Sequence, residues 1–344
     1  MKKKNILLIG GSLNQTTMMY KIAQHLTEYN CFYTPFYAGG LLQLAAQHGL
    51  FDRTVLGGKH LSSTAAFLLD QNLPVDLYGQ ARKYDLVLTG TDLILPKNIS
   101  GSRLVLVQEG ITEEEDIIYH LVKKLKLPRF LANTSATGLS DAYQKFCVAS
   151  NGYRNLFIRK GVKAEKIAVT GIPNFDNIRQ FTHNDFPQHG YVLAATTALR
   201  ESMRYDDRPA FIGSVVKLAA GRPIIFKLHP LENPRRAIRE IRSILPEGQI
   251  FTDGDINPMI ANCDLLVTQT STVTFVGLAL GKEVYSYRDL NQLRELLPIQ
   301  NGGKSAENIA GVCRRVLNQP QPQKTPLPKP SGFGAKNSYQ KLGN

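Results

Sequence analysis

The residues best able to do chemistry sit directly after short apolar runs. Asp85-Leu-Val-Leu-Thr89 leads into Gly90-Thr-Asp92, and Arg103-Leu-Val-Leu-Val107 into Gln108-Glu-Gly110. If both runs are buried neighbouring strands, Asp92 and Glu109 reach one edge of a sheet. Either carboxylate could serve there as a general base; the same positions also suit a turn cap at Asp92 and a local ion pair at Glu109. Phe226-Lys-Leu-His-Pro230 ends a third run with Lys227 and His229, a point charge and a ring donor fitted to a diphosphate or a base. Thr268-Gln-Thr-Ser-Thr-Val-Thr274 ends a fourth in hydroxyls. Ser271 and Thr272, with the free N–H groups of a helix starting there, can hold phosphate oxygens, although N-capping by Ser271 explains one of them. Gly10-Gly-Ser-Leu-Asn-Gln15, centred on Gly11, is a small-residue loop that offers backbone N–H groups to an anion or an acceptor hydroxyl, or simply lets a strand and a helix pack closely. Asp253-Gly-Asp255 has the look of a metal-binding DxD, but Asp255 better suits the N-cap of a helix from Ile256, and no metal is expected.

These junctions need a scaffold that brings strand ends to a common edge. Apolar β-type runs alternate with amphipathic stretches along the chain, the pattern of βαβ units feeding parallel sheets. Strands are expected near 5–10, 85–89, 103–107, 146–149 and 166–170, then 191–195, 223–228, 249–252, 264–268 and 283–286. Helices are expected at 15–29, 151–160 with Gly161 as C-cap, 208–220, 234–245, 256–262 and 272–280. Glu113-Glu-Glu-Asp116 suits the start of a further helix. A stretch rich in Pro, Gly and Asn, 171–190, reads as a crossing between two units. The expectation is an α/β chain of two Rossmann-like domains facing a cleft, 1–175 for an acceptor and 176–318 for a donor, with 319–344 a flexible basic tail.

Composition narrows the partners. The 344 residues carry a formal net charge of +13, which favours anionic ligands such as nucleotide diphosphates, polyanionic glycans or acidic lipid. No basic stripe is interleaved with aromatics, so nucleic acid is not expected. Cys31, Cys147, Cys263 and Cys313 lie far apart, without the spacing of a zinc site or a disulfide framework, which fits a reducing cytoplasm. The run Asn5-Ile-Leu-Leu-Ile-Gly10 after Met-Lys-Lys-Lys is too short for a leader and reads as a buried first strand. With no apolar stretch near 20 residues, membrane contact is expected only as peripheral attachment to an anionic inner face.

Val169-Thr-Gly-Ile-Pro173, Lys227-Leu-His-Pro230, Asp264-Leu-Leu-Val-Thr268 with Ser271-Thr272, and Leu280-Gly-Lys-Glu-Val284 together resemble the GT-B superfamily. Gly90-Thr-Asp92, Gln108-Glu-Gly110 and Thr197-Ala-Leu-Arg-Glu-Ser202 are similar to motifs of its UDP-GlcNAc 2-epimerases, which carry His where this chain has Ala198 or Leu199. Lys-x-His-Pro and the paired hydroxyls resemble the branch of glycosyltransferases and CDP-glycerol glycerophosphotransferases. That second resemblance implies group transfer from a nucleotide-activated sugar to a hydroxyl of a glycan or lipid-linked acceptor, in cell-surface glycan synthesis. It implies Lys227, Arg200, Ser271 and Thr272 around the leaving diphosphate, with Thr197, His229 and Gly11 lining the ligand, and Glu109 or Asp92 as base. No cofactor is implied beyond the nucleotide sugar itself. A 2-epimerase-like enzyme and a catalytically inactive accessory protein are the alternatives.

Overall fold

The structure is a computed structural model that describes residues 3–35, 58–99, 101–202 and 204–320. The basic stretch after residue 320 lies outside the described residues.

Two parallel sheets carry the fold. The first runs β2-β1-β3-β4-β5-β6, formed by β1 (Asn5–Ile9), β2 (Asn30–Thr34), β3 (Leu86–Thr89), β4 (Arg103–Val107), β5 (Lys145–Val148) and β6 (Ile167–Val169). Ile6 to Ile9 pair with Leu86 to Thr89 on one side and with Cys31 to Thr34 on the other, so β1 is interior. Its residues Ile6, Leu7, Leu8 and Ile9 are buried, as expected of a first strand covered on both faces. The second sheet runs β11-β10-β7-β8-β9, from β7 (Val192–Ala195), β8 (Ile224–Lys227), β9 (Gln249–Phe251), β10 (Leu265–Thr268) and β11 (Glu283–Tyr285). Its order reverses between β7 and β10, which opens a crevice at their carboxyl ends.

Helices cover these sheets for local reasons. In α1 (Leu13–Ala23) the Ser12 hydroxyl caps Gln15 N–H, while Met18, Met19 and Ile22 turn inward. It stops short of residue 29, because the chain from 24 bends to start β2. After α2 (Gly58–Asp70) comes α3 (Ile117–Leu125), N-capped by Asp116, the last of the acidic run. In α4 (Asn151–Lys160) Ser150 caps Tyr153 N–H, and Gly161 takes the left-handed C-cap at φ 110°. On the second sheet lie α5 (Arg208–Ala219), α6 (Pro234–Ile244), α7 (Ile256–Asn262) and α8 (Val273–Ala279), while α9 (Leu290–Glu295) ends against the start of α4. Asp255 caps α7 by accepting from Asn257 N–H.

The last of the described helices, α10 (Ser305–Asn318), crosses back. Ile309, Val312, Cys313, Val316 and Leu317 form a buried stripe at helical spacing, and α10 packs on α1, β4 and β5 of the first sheet. Lys4 Nζ donates to Leu317 O at 2.9 Å at its C-terminal end, where unpaired carbonyls favour a cation. The stretch 305–318, expected with the second unit, therefore sits on the first.

Candidate active site

The first sheet contributes the β1–α1 loop and the end of β4. Gly11 turns at φ 144°, and a methyl group at Gly10 would lie 2.4 Å from Thr16 Oγ1, so the loop must be made of small residues. Three side chains just beyond it converge on Glu109. Ser12 Oγ and Asn14 Nδ2 donate to Glu109 Oε1 at 3.1 and 3.0 Å, and Gln15 Nε2 donates to Oε2 at 2.6 Å. Glu109 is half-buried and held in one position by these donors. Gln15 is buried, and its Oε1 is without a partner among the described residues.

Asp92 has a different task. It is fully buried, and its two carboxylate oxygens accept from Gly138 and Ser140 N–H, each at 2.9 Å. Its carbonyl accepts from Arg129 at 3.1 Å. With both oxygens taken up by backbone donors, Asp92 anchors the 138–140 turn and is not placed to act as a base; the two carboxylates expected as alternatives have separate roles.

On the second sheet, Thr196 and Thr197 follow β7, and Gln269 follows β10, across the point where strand order reverses. Thr197 Oγ1 donates to Gln269 Oε1, which bridges the crevice, and Gln269 Nε2 donates to Asp206 at 2.8 Å. Beneath them Arg208, 1% exposed, pairs with Glu232 at 2.6 Å and Asp206 at 2.9 Å and donates to Thr197 O. Glu232 also accepts from Thr196 Oγ1 and from His229 N–H. This buried network orders the strand ends around the crevice. Sequence reasoning missed it, because Arg208 at a helix start reads as a surface residue and its partners are scattered along the chain.

Arg200 does not reach toward the crevice as a free cation. Its guanidinium binds both oxygens of Glu240 at 2.7 Å and approaches Asp206 at 3.2 Å. The hydrogen bonds from Arg200 hold the Glu240 carboxyl below its usual range. A fork already filled by a carboxylate is not free for a diphosphate, so Arg200 does not stand as the cation expected there.

Lys227 is buried and lines a hollow of about 310 Å³ with His229, Glu232, Thr252, Asp253 and Gly254, between the ends of β8 and β9. Its ammonium donates to Leu228 O at 3.1 Å. Burial pushes it below the ordinary lysine range, while Asp253, Asp255 and Glu232 pull it back up. The His229 ring accepts from Leu231 N–H through Nδ1 at 3.1 Å. Ser271 and Thr272 do not line this hollow. They stand half-buried at the start of α8, two strands along the same edge, with Ser271 Oγ accepting from Val273 N–H at 3.4 Å.

The start of α8 meets the first half of the molecule. A methyl group at Gly110 would lie 3.1 Å from Thr272 Cγ2, so the loop that carries Glu109 and the hydroxyls before α8 face each other closely. Phe275 of α8 is anchored edge-on to Tyr153 and Phe175, with centroids at 6.3 and 6.4 Å. Arg288 reaches Thr112 O at 3.0 Å, and Arg204 pairs with Glu113 at 2.9 Å. Two Rossmann-like halves thus present their carboxyl edges to a shared cleft.

The fold is GT-B. The Neisseria meningitidis UDP-GlcNAc 2-epimerase bound to UDP-GlcNAc is similar over 90% of this chain and 100% of its own, with a TM-score of 0.56 at 13% identity. S. aureus MnaA with UDP is similar over 92% and 97%, with a TM-score of 0.58 at 14% identity. The wall teichoic acid polymerase TagF with CDPG is similar over 92% and 89%, with a TM-score of 0.53 at 12% identity. No family model and no curated protein sequence matches the chain. At such identities the likeness establishes architecture, and an epimerase and a polymerase share it equally.

Proposed function

We propose that the chain transfers a sugar or related group from a nucleoside diphosphate donor to an acceptor hydroxyl, in the synthesis of a cell-surface glycan. The observation that carries this reading is the apposition of Glu109, fixed by Ser12, Asn14 and Gln15, to Ser271 and Thr272 across the contact between Gly110 and Thr272. A donor laid along the edge of the second sheet would place its base in the hollow between β8 and β9, near Thr252 and Asp253. Its diphosphate would cross β7 to Ser271 and Thr272. Three interstrand spacings of about 4.8 Å cover roughly 14 Å, a span suited to a nucleoside joined to two phosphates. The ligands named for the three similar structures, UDP-GlcNAc, UDP and CDPG, favour a pyrimidine base.

In this arrangement the acceptor oxygen attacks the donor carbon as its bond to the phosphate breaks, and the acceptor proton passes to a Glu109 oxygen. The departing nucleoside diphosphate gains negative charge, met by the hydroxyls of Ser271 and Thr272 and the N–H groups at the start of α8; Lys227, whose ammonium stays in the hollow with Leu228 O, belongs to the base end of the donor and not to the diphosphate expected of it. Gln15, buried with its Nε2 on Glu109 Oε2, keeps that carboxylate turned toward the acceptor. The reading runs this chemistry in the cytoplasm and draws on no metal or cofactor besides the donor.

The test begins with thermal unfolding against UDP, CDP and purine counterparts. A nucleotide at about 100 times its Kd adds about 2.7 kcal/mol of stability. Ser271→Ala should weaken the responsive nucleotide by about 1.5–3 kcal/mol, the worth of a hydrogen bond to a charged group. Glu109→Gln should keep nucleotide binding but slow transfer by about 10²–10⁴-fold. Absence of a response to every nucleotide defeats the reading and favours an inactive accessory protein. Release of the C2 epimer from UDP-GlcNAc without acceptor selects the epimerase reaction instead.

A further inference from the structure

The helix α3 is apolar on two sides. Tyr119 and Val122 face inward and pack against Ala132 and Ala136, which satisfies one face. The opposite face carries Ile117, Ile118, Leu121 and Leu125, one to two turns apart, with Ile117 79% and Leu125 59% exposed. Leu127, Phe130 and Leu131 extend this patch beyond the helix and are also exposed. A continuous apolar surface of this kind marks an interaction site rather than scattered exposure.

The chemistry at its margin identifies the partner. Lys123, Lys124 and Lys126 close the C-terminal end of α3, and Arg129 follows. Two open hollows of about 240 and 380 Å³ flank the patch and share Lys126, Leu127 and Arg129, so cations ring apolar recesses. The acidic residues that precede the helix do not cancel this charge. Glu113 is paired with Arg204, Asp116 is the N-cap, and Glu114 and Glu115 lie at the far end from the lysines. An amphipathic helix with exposed leucine and isoleucine beside lysines is fitted to lie in a lipid interface, side chains in the acyl boundary and ammonium groups at the phosphates.

We propose that residues 117–131 dock the chain on a bilayer containing anionic lipid. The surface follows directly on the loop that carries Glu109, so docking presents the acceptor side of the cleft to the membrane. It goes beyond the transfer reaction and stands without it, since its readout is vesicle binding alone.

The experiment is pelleting of the full chain with vesicles of phosphatidylcholine, alone or mixed with phosphatidylglycerol, at low and raised salt. Binding is expected only to the mixed vesicles, and to fall with salt. Ile118→Asn/Leu121→Asn/Leu125→Asn should abolish it. Lys124→Glu/Lys126→Glu should weaken it by about ten-fold or more, since each cation near such a surface is worth roughly five-fold. The substituted side chains are exposed, so the melting temperature should hold, and the charge variant serves if the apolar one fails to fold. Absence of wild-type binding, or binding that survives both sets of substitutions and so belongs to another basic segment such as 319–344, overturns the proposal. So does a dimer that the apolar substitutions dissociate in the absence of any lipid binding.

Discussion

A carboxylate in a cleft can be a reagent or a fastener, and its hydrogen-bond partners tell which. Asp92 is fully buried and spends both oxygens on backbone N–H groups of the turn 138–140. Removing it leaves two donors without partners inside the protein, and such groups cost about 1–3 kcal/mol each. Asp92→Ala should therefore lower stability by about 2–4 kcal/mol, read from denaturant midpoints at unchanged slope. Asp92→Asn, which retains one acceptor oxygen, should lose less. A variant as stable as the parent would return Asp92 to the list of reagents. Glu109 differs because its partners are side chains of a loop at the cleft, and it is only partly buried.

The strands were legible in the sequence because their surroundings leave no ambiguity. Leu86 to Thr89 and Leu104 to Val107 are covered on both faces, so no polar alternation dilutes the apolar run. The caps at Gly161 and Asp255 were equally readable, since each satisfies backbone groups a few residues away. What escaped depends on long-range partners. The donors to Glu109 lie 94 to 97 residues away, Glu240 captures Arg200 from 40 residues away, and Arg208 is buried only because Asp206 and Glu232 neutralise it. The stripe of α10 shows helical spacing, but nothing in it tells which sheet it will cover. One contact between elements offers a sharp test. A methyl group at Gly152, in the first turn of α4, would lie 2.0 Å from Glu295 O at the end of α9. Backbone cannot yield as a flexible side chain can, so Gly152→Ala should cost about 1–3 kcal/mol or more. A melting temperature within error of the parent would mean that α4 and α9 are not held together as described.

At the scale of the whole molecule, the two sheets are joined by more than the crossing at 171–190. Ile299 N–H donates to Ala149 O, Ser150 Oγ to Leu296 O, and Ser305 N–H to Asp176, so the chain after α9 is stitched along the first half. Ending the chain at residue 304 would strip Ile309, Val312, Val316 and Leu317 from the first sheet. At about 1.5–3 kcal/mol each, these four alone amount to roughly 6–12 kcal/mol, comparable to the whole stability of an ordinary domain. The shortened protein should lose its near-ultraviolet dichroism and bind a hydrophobic dye. A sharp cooperative melt in that variant would show the first half to be self-sufficient.

Because α10 follows the whole second sheet in the chain but covers α1, β4 and β5, the first half cannot finish folding as it leaves the ribosome. Its apolar floor must wait, uncovered, while the second sheet is translated. Chaperones that shield nascent chains have their natural target in that interval, and a pause in translation before codon 305 should lengthen it.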